Sequence, residues 1–119
     1  QLNGCPMDGG RIVALGDGKF GAVWQRAGEV FLTGPEGAET RLGKGKQPVA
    51  VQKGTERIVV WQQDTALVST RSLEAAEPTK HARDARFPAL VSLPNGKGAL
   101  LAYEQGPAKG PTTVLIERL

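Results

Sequence analysis

The chain has 119 residues, enough for one ordinary domain, and a hydrophobic content of 39% is sufficient for a core. Its formal net charge is +3, but the Lys and Arg residues are scattered through turns and never form a run of four, so a solvated surface accounts for them and nucleic-acid binding is not expected. No apolar stretch approaches the roughly 18 residues of a membrane-spanning helix, and the single Cys5 cannot form an internal disulfide. The sequence opens at Gln1 without a signal-like segment and reads as a processed or excised piece of something longer.

In chain order, strands are expected near residues 11 to 15, 20 to 25, 29 to 33 and 39 to 42. The same scheme recurs near 48 to 52, 57 to 62, 66 to 70 and 77 to 81, then in the run Phe87 to Gly96 leading into Ala99 to Glu104, and over Thr112 to Glu117. Turns at Gly16-Asp-Gly18, Lys53-Gly54-Thr55 and Pro94-Asn-Gly96 separate the first two strands of each unit, where Gly and Asn supply the positive φ of tight hairpins. Glu29–Thr33 and Ala66–Thr70 alternate, whereas Ile58-Val-Val-Trp61 is a continuous apolar run, as expected of a strand covered on both faces. A competing reading places a short helix over Leu73–Glu77 and Lys80–Arg86, although Pro78 interrupts it.

The three units end their second strands alike: Trp24-Gln25, Trp61-Gln62 and Tyr103-Glu104, with the aromatics 37 and 42 residues apart. A repeat of roughly 40 residues built from short strands is the pattern of a β-propeller blade, whose flat faces only neighbours can cover. The expected fold is therefore all-β, with three four-stranded antiparallel blades over residues 9–45, 46–84 and 85–119, and with residues 1–8 as a closing strand. Three blades cannot close a ring, since about four is the minimum. A six-bladed ring completed by a second copy, or by a missing segment of which this is the C-terminal half, is expected. Exposed edges as apolar as Val114-Leu-Ile116 argue against an isolated monomer.

Several chemistries can be weighed residue by residue. Cys5, Met7 and His81 are soft or borderline ligands that copper(I) would favour, but their spacing matches no standard motif, and no metal or other cofactor is expected. Ser69, Ser72 and Ser92 lack a nucleophile signature around them despite His81 and Asp84. Gly43-Lys-Gly-Lys46 lacks the spacing and the hydroxyl residue of a phosphate loop. Trp24, Trp61 and Tyr103 could form a sugar-stacking platform, but packing between blades is the simpler expectation. Gln25, Gln62 and Glu104 point to the opposite sheet face and line either the loops or the next interface.

At the third unit, Arg86-Phe-Pro-Ala-Leu90, followed by Leu93-Pro-Asn-Gly96 and Leu100-Leu-Ala-Tyr-Glu-Gln105, resembles the Arg-Ile-Pro-Ala-Leu opening of sialidases and its following strand. The wider repeat, with Cys5-Pro-Met-Asp-Gly-Gly10, is similar to bacterial sialidase-like propeller proteins. The resemblance implies a periplasmic or secreted six-bladed propeller with a glycan or protein site at the centre of one face. It makes Arg86 an anion clamp, with Arg83, Glu104, Trp24, Trp61 and Tyr103 as binding candidates. The chain departs from the family in three respects: Gly106–Thr113 carries no carboxylate to serve as acid catalyst, the Ser-x-Asp-x-Gly-x-x-Trp box is missing from every repeat, and the Arg-Ile-Pro motif, which opens the propeller in the family, sits here in the last unit. The functional expectation is thus a non-catalytic binding or assembly module. Part of a sialidase-like glycoside hydrolase is the alternative, and a structural subunit of a larger complex is a third reading.

Overall fold

A computed structural model describes residues 9–71 and 77–119. Among them the fold is all-β, with eleven strands in three antiparallel sheets and no α-helix. The first sheet is β1 (Gly10–Gly16), β2 (Lys19–Arg26), β3 (Glu29–Thr33) and β4 (Glu39–Lys44). The second is β5 (Lys46–Lys53), β6 (Glu56–Gln63), β7 (Ala66–Thr70) and β8 (Thr79–Arg83). The third is β9 (Ala85–Ser92), β10 (Ala99–Gln105) and β11 (Thr113–Arg118). Every sheet is a meander in which sequential strands pair.

The turns follow from local chemistry. Asp17-Gly18 and Ala27-Gly28 both place two residues at positive φ, which matches the twist of the strands they join. Between β9 and β10, Pro94–Gly96 forms a 3-10 turn with Asn95 at φ 58°, inside a loop closed by the Leu93 N–H donating to the Gly98 carbonyl at 2.7 Å. Only Gly45 separates β4 from β5, and only Asp84 separates β8 from β9. Gly45 is required: at φ +145° a Cβ there would lie 2.4 Å from the Gln62 carbonyl oxygen and from the Trp61 ring.

The sheets stack face to face, with the first strands β1, β5 and β9 side by side. The second sheet lies in the middle, and this is why Ile58, Val59, Val60 and Trp61 are all buried. Val59 and Trp61 point into a cluster with Val23, Val30 and Leu32 of the first sheet. Ile58 and Val60 point the other way, into a cluster with Ala99, Leu101 and Tyr103 of the third.

Among the described residues the third sheet holds the three strands expected of this chain there, and the fourth strand of a complete unit is not among them. The strand expected near 77 to 81 is β8, which pairs with β7 from Ala66 to Ser69, and Ala85 and Arg86 open β9, so the competing helix does not form over Lys80–Arg86; residues 73–76 of that reading lie outside the described residues. The closing strand expected over residues 1–8 lies outside them as well.

Candidate functional site

Counting registers from the three aromatics makes positions in the sheets directly comparable. Val13, Val51 and Val91 each pair with the residue three before the aromatic, and Val30, Leu67 and Val114 each pair with the residue just after it. All six belong to the sheet face that looks toward the following unit. Val13 and Val51 are 2% and 8% exposed, while Val91 is 56% exposed. Val30 and Leu67 are fully buried, while Val114 is 70% exposed. The side chains have the same character throughout; the difference is that the first two sheets have a neighbour on that side and the third does not.

The opposite face behaves as a mirror of this. Trp61 is fully buried against the first sheet, its indole N–H donating to the Lys44 carbonyl at 3.0 Å, and Tyr103 is buried against the second. Trp24, at the same position of the first sheet, is 46% exposed, so the expectation that all three aromatics form packing between units fails there: none of the described sheets covers it. Its face also shows Ile12 at 78% and Phe20 at 60% exposure. The charges beside these residues are already paired. Arg41 bonds Glu29, Arg26 bonds Glu39 at 3.1 Å, and the Arg26 guanidinium lies 4.4 Å from the centre of the Phe31 ring. The Arg41 bond holds the Glu29 carboxyl below its usual range. Among the described residues the stack therefore ends in two bare apolar faces, one at each side.

The resemblance-derived residues are brought together only in part. Arg86 is half-buried, with Nη2 donating to Glu104 Oε1 and to the Pro107 carbonyl, both at 3.2 Å, so its charge is engaged inside its own sheet. Arg83 enters through its backbone, its carbonyl accepting from Gln105 Nε2 at 3.0 Å. Trp24, Trp61 and Tyr103 lie on separate sheets, and none of the three shares a cluster with another. The Gln25 carboxamide does cross to the next sheet, its Oε1 accepting from the Gln47 N–H at 2.9 Å. The equivalent Gln62 and Glu104 bond within or beside their own turns and strands.

His81 meets a partner among the described residues; Cys5 and Met7 lie outside them. Its Nε2 is 2.7 Å from Glu117 Oε2, and the Tyr103 hydroxyl donates to Glu117 Oε1 at 2.6 Å. The two rings meet edge to face at 6.1 Å. The network ties β8 of the second sheet to β10 and β11 of the third. Desolvation first, and then the adjacent Glu117 carboxylate, push the Tyr103 hydroxyl up to about 12. Hydrogen bonds from Tyr103 and His81 hold Glu117 below its usual range. Sequence reasoning missed Glu117. The available signal was its place in the Leu115, Glu117, Leu119 alternation, which sets a carboxylate on the face that otherwise packs inward. Among the described residues no group of three or more His, Cys, Asp or Glu side chains is placed to hold a metal ion, and no helix is long and apolar enough to cross a membrane.

Chemically, the arrangement offers surfaces to be covered, an ion-paired Arg86 and the Tyr103–Glu117–His81 network between the second and third sheets. Compared with known proteins, the chain matches no protein family, no curated protein and no solved structure, so its site is defined by its own geometry.

Proposed function

We propose that this chain is a non-catalytic assembly and binding module of β-propeller type, whose two end faces are docking surfaces for further sheets of the same kind. The observation that carries the reading is that positions buried in every covered sheet, such as Val30 and Leu67, are bare at the open end, as at Val114. Burying such a side chain is worth about 1.5–3 kcal/mol, so each uncovered face holds unused association energy. The meander sheets, the single-residue links Gly45 and Asp84, and the side-by-side first strands all favour sheets arranged as blades about an axis. Arg86, already neutralised by Glu104, is a positioned structural pair in this reading rather than a carboxylate clamp.

The test compares equivalent substitutions on covered and open faces. Leu67→Asp buries a charge at an interior site and is expected to abolish the strand signal in far-ultraviolet circular dichroism. Val114→Asp is expected to leave that signal intact. If Val114→Asp unfolds the chain as Leu67→Asp does, the face is not an open docking surface and the proposal fails. Turnover of a fluorogenic sialoside by the purified chain, lost in Arg86→Ala, would refute the non-catalytic part.

A further inference from the structure

The two end faces differ in kind, and each has its counterpart inside the molecule. In the covered interface between the first and second sheets, Trp61 packs among Val23, Val30 and Leu32. Moved along the repeat, Trp61 corresponds to Trp24, and the receiving residues correspond to Ala102, Val114 and Ile116 of the third sheet, by the same pairings across β2–β3 and β10–β11. Trp24 lies on one end face of the stack. Val114 and Ile116, 70% and 69% exposed, lie on the other, with Val91 beside them. One molecule thus carries an indole-bearing face without its receiver and an aliphatic receiver without its indole.

We infer that these are the two halves of a single interface, and that a second copy of this chain supplies the counterpart of each. The inference rests on the propeller-type reading above and adds the identity of the partner. Two arguments favour a second copy over an unrelated protein. The first is complementarity: identical molecules satisfy both faces at once, and on the indole-bearing face Arg26 and Arg41 are each engaged by a carboxylate of their own sheet, Glu39 and Glu29. The second is closure. A contact between two different faces continues until the rotation closes, and rings of this type hold about four to eight sheets. Three sheets per chain fit that range only as six, that is, with two copies.

The experiment measures the mass of the whole chain by light scattering and sedimentation across the micromolar range. The expected result is about twice 12.6 kDa. Trp24→Lys and Ile116→Glu should each run at the single-chain mass. Mixed in equal amounts they should return to the doubled mass, because one junction then pairs Lys with Glu while the other is unaltered. Circular dichroism checks that each variant is folded, and Ile12→Lys with Val91→Glu replaces any that is not. A wild-type chain that stays at 12.6 kDa, that grows into open-ended polymers, or whose doubling survives both substitutions overturns the second-copy assignment. A single-chain mass together with a folded Val114→Asp would leave the docking-surface reading standing. Unfolding of Val114→Asp would remove both.

Discussion

Trp61→Ala is the sharpest test of how the stack is held. Trp61 is fully buried, its indole lies against Gly45 and within the cluster formed by Val23, Val30 and Leu32, and its N–H donates to the Lys44 carbonyl. Truncating a buried Trp costs about 3–5 kcal/mol in lost transfer energy and cavity. Orphaning the Lys44 carbonyl adds about 1 kcal/mol. At this chain length about 4 °C of midpoint accompanies each kcal/mol, so the total of about 4–6 kcal/mol lowers the thermal midpoint by roughly 15–25 °C. Trp61→Phe keeps most of the apolar area and loses the indole hydrogen bond, so it should cost about 1–2 kcal/mol. The assay is urea unfolding followed by circular dichroism, with all variants at one protein concentration because association is coupled to stability. A Trp61→Ala cost below about 2 kcal/mol, or a Trp61→Phe cost as large, would refute the packing argument.

Gly45→Ala forces a Cβ to within 2.4 Å of the Gln62 carbonyl and the Trp61 ring at a φ of +145°. A loss of at least about 2 kcal/mol is expected, measured by the same unfolding. For Tyr103 the sign follows from its raised value: the folded hydroxyl keeps its proton between 10 and about 12 while the unfolded one releases it, so stability is full below pH 10 and declines as pH rises through that window. Two pH units correspond to about 3 kcal/mol, and Tyr103→Phe should abolish this alkaline decline, read from urea midpoints against pH. Glu117 is depressed, so it stabilises the fold above its ordinary value near 4.5, and that contribution is lost as pH falls below it. Glu117→Gln should therefore flatten the acid limb, seen as a smaller drop in urea midpoint on acidification than in the wild-type chain.

Much of the architecture was legible because period and punctuation are local. The alternation Glu29–Thr33, the apolar run Ile58–Trp61 and the turns at Asp17-Gly18 and Asn95-Gly96 depend on φ preferences and on which faces of a strand are covered, and both leave marks in adjacent residues. The repeat of aromatics also pointed to uncovered faces, and Val114-Leu-Ile116 stood out as an apolar strand whose exposed edge needs cover. Three features could not be read in this way. Nothing local distinguishes Trp24 from Trp61, since their flanking residues are alike; only the presence of a neighbouring sheet separates half-exposed from buried. The meeting of His81 with Glu117 spans 36 residues and two sheets, so no spacing rule could propose it. Arg86 resembled an anion clamp, but its pairing with Glu104 depends on the β9–β10 register, in which the two residues lie directly opposite.

The amino-acid sequence by itself determined the strands, their turns and the recurrence of one unit, because these rest on backbone sterics and on side-chain periodicity within a few residues. Only the tertiary structure decided which copies of a repeated position are buried, which charges are paired and which faces remain bare, because burial is a property of the neighbour and equal sequences acquire unequal surroundings at the middle and the ends of a stack.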